Sequence, residues 1–238
     1  MKKLSGVIVI GFLLLTLVPA FAKEKPRMGV LRFTNQTHVG WWTSAMGQDM
    51  QDMLINELAS MDSFRVLERK ELDAVIKEQD LGASGRIRKS TRSKIGNITG
   101  AKYLVAATVS AYEESTKGTG GGISFAGISL GGKQEKAYMA VDLKVIGVKT
   151  GEIADHRTIE ANSSGGGLDL GFNFSGFSGN LGGFEKTPAG KAIRACVMEI
   201  AEYLDCSLNE GKNAPCMADY NAKENTRRQK TKSAISLE

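Results

Sequence analysis

Hydrophobic and polar residues recur along this chain with two periods, and the periods separate strands from helices. Apolar residues alternate with others over Ala137 to Val145, which is the two-residue period of a strand, and the apolar segments "RMGVLRF" and "AKYLVAATVSAY" predict two further strands. Steps of three and four residues predict a helix over Met46 to Met61 and another over Ala189 to Leu204. The order strand, helix, strand, helix, strand predicts an α/β fold, with a mixed sheet and flanking helices.

The shorter segments between these elements are assigned in the same way. "SFRVLER" predicts a short strand, and "RKELDAVIKEQDL" predicts a helix with Leu72, Val75 and Ile76 facing inward. The basic stretch "GRIRKSTRSK" is expected to be a solvated connection that leads to a further short helix. Thr187 is placed to cap the last apolar helix, and Pro188 stands in its first turn, where proline is tolerated.

Two glycine-rich excursions interrupt the domain, "EESTKGTGGGISFAGISLGGKQEK" and "SGGGLDLGFNFSGFSGNLGGFEK". In both, large apolar residues alternate with small or polar ones over about ten residues, the pattern of a strand between lipid and a water-filled lumen. A flexible glycine-rich linker would not alternate in this way. The candidate lipid-facing residues are Ile123, Phe125, Ile128, Leu130, Leu168, Leu170, Phe172, Phe174, Phe177 and Leu181.

Two hairpins supply only four strands in each chain, which is too few to close a barrel. Open strand edges are not tolerated in hydrocarbon, because their backbone groups would lack hydrogen-bond partners. If the hairpins insert into a membrane, several chains must therefore contribute to one barrel. The expected assembly is a ring-shaped homo-oligomer wide enough to pass a polypeptide.

The N-terminus predicts export. Lys2 and Lys3 precede an apolar run that ends in "PAFA", so residues 1–22 are interpreted as a signal peptide removed after Ala22. No cysteine stands at this cleavage point, so a lipid anchor is not expected. The predicted domain comprises residues 23–112, 134–162 and 185–208, with hairpin tips at 113–133 and 163–184. Residues 209–238 are expected to be a polar, solvated or disordered tail.

Charge and cysteine content narrow the function classes. A good part of the formal net charge of +5 lies in the C-terminal segment, so nucleic-acid binding is not inferred from the charge. Cys206 and Cys216 are candidates for a local disulfide in an exported protein, and Cys196 is expected to be a buried apolar residue. His38 and His156 have no neighbours at metal-ligand spacing, so neither a metal nor another cofactor is predicted.

Four segments together resemble a known family: "GVLRFTNQT", "FRVLERKELDAVIKEQ", "AKYLVAATVSAYEES" and "VDLKVIGVKTGEI". They look like the curli secretion channel family, described as CsgG/HfaB-like. The resemblance implies an outer-membrane oligomeric export pore with a periplasmic α/β ring and a barrel of two hairpins per subunit. It implies no enzymatic activity, and its expected partners are further copies of the chain, the outer membrane, the exported polypeptide and periplasmic accessory proteins.

The chain departs from this family in two places. Curli-type channels are lipoproteins, so anchoring here is expected to depend on the barrel alone. The family carries a constriction loop after the first strand, and the corresponding loop here is shorter. The candidate constriction residues are Asn35, Trp41 and Trp42; the alternative for the two tryptophans is packing between subunits or onto the first helix.

Two other function classes are alternatives to the pore. A soluble periplasmic scaffold or regulator would use the same α/β core and carry the glycine-rich stretches as mobile loops. An enzyme is disfavoured, because the sequence offers no nucleophile and base pair, no metal cluster and no phosphate-binding loop, and hence no catalytic candidate.

Overall fold

The computed structural model describes residues 24–118, 124–125, 128–129, 133–164 and 187–234. Strands, helices and one π-helical turn follow one another in these ranges. They are β1 (Arg27–Val30), β2 (Thr34–Asn35), α1 (Ser44–Ser60), β3 (Arg65–Val66), α2 (Leu72–Ala83), β4 (Tyr103–Gly118), β5 (Ser124–Phe125), β6 (Ile128–Ser129), β7 (Lys133–Gly147), β8 (Ile153–Ser164), α3 (Pro188–Leu204), the π-helical turn (Asp205–Glu210) and α4 (Cys216–Ala234).

The main sheet is mixed, as the sequence predicted. Its strand order is β3-β1-β4-β7-β8, and β2 pairs with β4 beyond the end of β1. The strands β1, β2 and β3 run parallel to their partners, whereas β4, β7 and β8 form an antiparallel meander. The α/β class with flanking helices is therefore confirmed.

One face of the meander forms the core. The side chains of Val105 and Val109 in β4, and of Val141 and Leu143 in β7, are buried to 1% exposure or less. Residues between them on the opposite face are partly exposed, so the two-residue period separates the faces as predicted. Helix α3 packs against β7 and β8 of this meander, and helix α1 packs on α3 and on the strands β1 and β3.

Helix α1 begins where the sequence offers a cap and packs tightly on the first strand. The Thr43 hydroxyl accepts a hydrogen bond from the Met46 backbone N–H at 3.2 Å. The buried Gln51 side chain donates to the Val30 carbonyl at 2.7 Å. A Cβ added at Gly47 would lie 2.3 Å from the Phe33 carbonyl oxygen, so only glycine permits this approach.

Helix α3 matches its prediction. Thr187 accepts a hydrogen bond from the Gly190 N–H at 3.1 Å, and Pro188 stands in the first turn. The predicted apolar stripe is buried, and its members are Ala189, Ile193, Cys196, Val197, Ile200 and Leu204.

The predicted inward face of α2 is wrong. Val75 is 43% exposed and Ile76 is 38% exposed, while Leu72 is only partly buried. Gly82 is the buried residue of this helix. The reason is its position: α2 follows β3, a two-residue strand at the edge of the sheet, so little sheet surface is available for it to cover.

The connection from α2 to β4 also differs from its prediction. Residues 92–100 contain no helix. The segment is held by polar contacts instead: the Arg69 guanidinium donates to the Thr99 carbonyl at 2.8 Å, and the Gly96 N–H donates to Gln79 Oε1 at 3.3 Å.

The C-terminal segment is more ordered than expected. Much of the predicted disordered tail is helix α4, although its side chains are mostly exposed. Met217 is buried at its start, and Glu224 pairs with Arg227 and Arg228 three and four residues further on. Such pairs support a helix that lacks an apolar stripe, which explains why apolar periodicity did not reveal it.

Candidate functional site

The loop that joins β1 to α1 follows β4 toward one end of the sheet. The Leu31 N–H donates to the Val105 carbonyl at 2.8 Å, and the Gln36 N–H donates to the Val109 carbonyl at 2.9 Å. Between them, β2 pairs in parallel with Thr108 and Val109. The candidate constriction loop is therefore attached to the strand that continues into the first glycine-rich excursion.

Asn35 stabilises the turn that leaves β2. Its Oδ1 accepts hydrogen bonds from the Thr37 N–H at 2.9 Å and from the Thr37 hydroxyl at 2.7 Å. Its Nδ2 donates to the Thr37 carbonyl at 3.2 Å. The amide thus closes an Asx turn, which is a structural role that Asn fills well in loops.

Trp41 and Trp42 lie against the domain. Their ring centroids are 6.0 Å apart, and Trp41 makes an edge-to-face contact with Tyr112 at 4.9 Å. Both tryptophans are partly buried and pack on the hydrophobic core. Tyr112 is not among the sequence candidates, although it ends the predicted strand "AKYLVAATVSAY".

Two tyrosines on the meander have perturbed ionisation. Burial is the main cause that raises the pKa of Tyr112, and its hydrogen bond to Glu114 at 3.1 Å adds to the rise. Burial likewise raises the pKa of Tyr138, whose hydroxyl donates to Glu160 Oε1 at 2.7 Å. Both phenols are therefore neutral donors at physiological pH and fix the neighbouring carboxylates.

Both excursions start from the same end of the sheet. The strands β4 and β7 are antiparallel, and their pairing runs as far as Gly118 opposite Lys133. Because β7 and β8 are also antiparallel, β8 ends at this same end, with Ser164 opposite Lys136. The backbone pairing of the domain thus continues directly into the roots of both insertions.

The second excursion also returns to that end. The Ser163 hydroxyl, which is buried near the end of β8, donates to the Pro188 carbonyl in the first turn of α3 at 2.5 Å. Residues 165–186 connect these two points and lie outside the described residues. The insertion therefore begins and ends at nearly the same place.

Two of the candidate lipid-facing residues, Phe125 and Ile128, lie in the described part of the chain. Phe125 in β5 pairs with Ile128 in β6, and Ser124 pairs with Ser129, so the backbone here is an antiparallel hairpin. The remaining candidates fall outside the described part of the chain: Ile123, Leu130, Leu168, Leu170, Phe172, Phe174, Phe177 and Leu181.

Cys206 and Cys216 form a disulfide with their Cα atoms 6.1 Å apart. It joins the π-helical turn after α3 to the start of α4. Cys196 is free and buried, and burial raises its pKa to about 12, so its thiol stays protonated.

A polar network that the sequence did not reveal fixes α4 beside β8. The Arg157 guanidinium lies 4.9 Å from the Tyr203 ring centroid and donates to the Tyr220 carbonyl at 3.2 Å and to Asn221 Oδ1 at 3.1 Å. The Tyr203 hydroxyl donates to buried Asp155 at 3.0 Å. In the sequence, this network is indicated only by the presence of Asp155 and Arg157 in a half-buried strand.

The described ranges contain neither a metal-ligand cluster nor a membrane-spanning helix. No group of three or more potential ligands there could hold a metal ion. None of the helices in these ranges has the length and apolarity needed to cross a membrane.

The chain matches the family model described as "Curli production assembly/transport component CsgG" over residues 13–235. It therefore belongs to this family. The resemblance inferred from the four sequence segments is therefore confirmed.

Individual relatives share only part of this length. The chain is 28% identical over 116 residues to the curli production assembly/transport components CsgG of Salmonella typhimurium and of Escherichia coli K12. The match covers 47% of this chain and 42% of those proteins, less than half their length. A Neisseria meningitidis protein whose name describes a lipoprotein is 27% identical over 170 residues, covering 71% of this chain and 68% of its own.

Solved structures offer distant likenesses. The hypothetical protein CT253 of Chlamydia trachomatis gives a TM-score of 0.44 at 13% identity, covering 76% of this chain and 96% of its own. The PelC dodecamer of Paraburkholderia phytofirmans gives 0.37 at 10% identity, covering 75% and 89%. Scores this low support no conclusion about function.

Proposed function

We propose that this chain is one subunit of an oligomeric outer-membrane pore that exports a curli-like or adhesive polypeptide to the cell surface. The observation that carries the proposal is the common origin of the two insertions at one end of the sheet. Extended pairing of β4 with β7 leads into the first, and β8 with the start of α3 frames the second. Strands that leave one end together are arranged to enter one barrel.

The lengths of the insertions suit this role. Residues 115–136 and residues 165–186 are equally long, and each is long enough for two strands of about ten residues with a turn. A strand rises about 3.3 Å per residue and tilts by about 40° in outer-membrane barrels. Ten residues then span roughly 25 Å, the height of the apolar band in such barrels.

A ring follows from the number of strands. Four strands per chain leave two open edges, and backbone groups on an open edge find no partner in hydrocarbon. Identical copies arranged around one axis remove these edges. The proposed pore is therefore a homo-oligomer whose α/β domains form a periplasmic ring below a shared barrel.

Selectivity in such a conduit comes from pore width and lining, not from catalysis. Asn35, Trp41 and Trp42 remain the proposed constriction residues, because their loop is attached to β4 near the roots of the insertions. The contact of Trp41 with Tyr112, and the packing of both tryptophans on the core, give this loop a defined shape. Residues 1–22 are proposed to direct export, and periplasmic accessory proteins are proposed as further partners.

The proposal is tested with the full chain in a bacterium that has an outer membrane. We expect the protein to require detergent for extraction, to show rings in negative-stain electron micrographs and to conduct ions in planar bilayers. The matched control lacks residues 118–132 and 165–183, each replaced by a short Gly-Ser turn. This control is expected to keep the domain fold but to be extracted without detergent and to conduct no ions.

A monomeric full-length protein that is soluble without detergent would refute the pore. That result, with an intact domain, would favour the periplasmic scaffold or regulator that uses the same α/β core.

A further inference from the structure

Helix α4 runs beside β8 toward the end of the sheet where both insertions begin. Near the start of α4, Tyr220 and Asn221 accept hydrogen bonds from Arg157, which lies early in β8. Nearer the end of the helix, Lys230 lines the same groove as Asn162 of β8. The helix and the strand therefore advance together toward the roots of the insertions.

The length of α4 brings its last turn to the level of these roots. With a rise of about 1.5 Å per helical residue, Ala234 lies about 21 Å beyond Tyr220. With a rise of about 3.3 Å per strand residue, Ser164 lies about 23 Å beyond Arg157. The first turn of α3 reaches the same level, because it is hydrogen-bonded to the end of β8. Two helix ends therefore lie beside the strands that lead into the insertions.

Charge is balanced along most of the contact between α4 and β8. The groove between them has a volume of about 670 Å³, and as many acidic as basic side chains line it. Lys223 pairs with Glu199 of α3, and Glu224 pairs with both Arg227 and Arg228. A charged ligand would gain little from a groove that is neutralised in this way.

The last two turns of α4 are not balanced. Residues 227–234 contain four basic side chains and no acidic one. Lys230 and Lys232 are exposed, and neither pairs with a carboxylate in the described part of the chain. Helix α3 adds Lys191 and Arg194 in its first two turns, which also lack an acidic residue. An excess of positive charge therefore lies at the two helix ends.

The neighbouring strands do not cancel this excess. Near the insertions, β4 and β7 carry equal numbers of basic and acidic residues, which are Lys117, Lys133, Lys136, Glu113, Glu114 and Glu135. The last part of β8 adds one acidic residue, Glu160. The end of the sheet therefore keeps a net positive charge, and we name its basic parts, residues 188–194 and 227–234, the root surface.

We infer that the root surface binds the headgroups of anionic phospholipids in the outer-membrane leaflet that faces the domain. This inference rests on the proposed pore, because strands that cross the membrane bring their roots to the level of the headgroups. Lysine and arginine at that level are attracted by the negative surface potential of anionic lipids. Helix α4 has no apolar stripe that could insert between acyl chains, so the contact is electrostatic.

The first test follows the Tm of the full-length protein, purified in a non-ionic detergent, as lipid is added. Phosphatidylglycerol should raise the Tm, and the same amount of zwitterionic phosphatidylcholine should raise it much less. About 0.5 M NaCl should abolish the difference, because salt screens exposed charges. An equal rise with phosphatidylcholine would overturn the inference, because lipid charge would then have no effect. An equal rise with glycerol 3-phosphate would also overturn it, because a single anion would then suffice.

A pair of variants locates the effect on the root surface. Lys230→Gln with Lys232→Gln removes two exposed charges. Each lysine near an anionic membrane contributes about fivefold in affinity, so the phosphatidylglycerol needed for half of the Tm rise should increase about tenfold or more.

The matched control is Lys102→Gln with Lys149→Gln. These lysines are also exposed, but they lie at the opposite end of the sheet, where the Val148 N–H donates to the Lys102 carbonyl at 3.0 Å. The control should respond to phosphatidylglycerol like the wild type. Equal losses in the two double variants would overturn the inference, because total charge and not its position would be responsible.

Lipids that stay bound during purification identify the partner directly. Mass spectrometry of lipids extracted from the wild type should show anionic phospholipids enriched over phosphatidylethanolamine, relative to the source membrane. Lys230→Gln with Lys232→Gln should lower this enrichment about twofold or more, and the control should retain it. Enrichment of lipopolysaccharide instead would overturn the inference, because that lipid occupies the opposite leaflet.

The two levels of proposal fail differently. If the wild type forms rings and conducts ions but shows no preference for phosphatidylglycerol, the lipid contact is wrong and the pore stands. If the wild type is soluble without detergent, the pore fails, and the lipid contact inferred from it fails with it.

Discussion

The hydroxyl of Ser163 donates a hydrogen bond to the carbonyl of Pro188 across 25 residues of sequence, at a distance of 2.5 Å. This contact closes the base of the second insertion, because it joins the end of β8 to the first turn of α3. Both residues are buried, so the contact belongs to the domain and does not depend on a membrane. The hydrogen bond therefore keeps the end of β8 and the start of α3 together where the insertion begins and ends.

Ser163→Ala is expected to lower the free energy of unfolding of the domain by about 1–2 kcal/mol. The Pro188 carbonyl would remain buried without this partner, and that is more costly than losing an exposed hydrogen bond. The measurement is urea unfolding of the hairpin-deleted domain. Ser233→Ala serves as the control, since Ser233 makes a comparable bond to the Lys230 carbonyl at an exposed site and should change stability by less than about 0.5 kcal/mol. Equal losses in the two variants would contradict the structural role of Ser163.

Replacing both Cys206 and Cys216 by serine is expected to lower stability by about 2–3 kcal/mol. The disulfide closes a short loop and restricts the unfolded chain, which is the main source of its effect in the chain-entropy model. Dithiothreitol should produce a similar loss in the wild type, measured by denaturant unfolding. Cys196→Ala is the control: Cys196 is a buried, protonated thiol, so this variant should keep the full response to reductant. An unchanged midpoint on reduction would show that the disulfide does not stabilise the domain.

Apolar periodicity predicted the core elements because positions that face the core are apolar, and they recur with the period of the strand or helix. The alternation in β4 and β7 and the stripe of α3 are consequences of packing on one face, so they are readable without coordinates. The same rule failed for α2, whose stripe is as regular but whose face is exposed. Periodicity shows that a face is apolar, and it does not show whether the chain itself or a partner covers it.

Polar contacts between residues far apart in the chain leave no pattern in the sequence. Arg157 holds α4 through a backbone carbonyl and one amide side chain, contacts that join residues more than 60 positions apart. Neither residue type nor spacing specifies such a pair. Asn35 was chosen as a candidate for its place in a loop, and its observed hydrogen bonds to Thr37 are local ones that its sequence context permits.

Glu224 should make stability depend on pH in the acidic range. Hydrogen bonds from Arg227 are the main cause that lowers its pKa to about 2, and those from Arg228 contribute. Because the pKa in the folded state is below the ordinary value, the stabilisation is fully present above about pH 4.5 and is lost as the pH falls toward 2. The Tm of the wild type should exceed that of Glu224→Gln at pH 6, and the difference should narrow below pH 4. Glu210→Gln, at an exposed site, is the control; a constant difference down to pH 2 would exclude this ionisation as the cause.

The contact between Trp41 and Tyr112 decides whether the tryptophan has a structural role. Trp41→Ala is expected to lower the free energy of unfolding by about 1–3 kcal/mol, because it removes a partly buried ring and its edge-to-face partner. Combining it with Tyr112→Leu in a double-mutant cycle should give a coupling of about 1 kcal/mol. A tryptophan that only lined the pore would show no coupling, and its removal would raise single-channel conductance without lowering stability. Conductance and unfolding are measured on the same variant, with Trp42→Ala alongside. Together they distinguish a residue that lines the constriction from one that stabilises the loop.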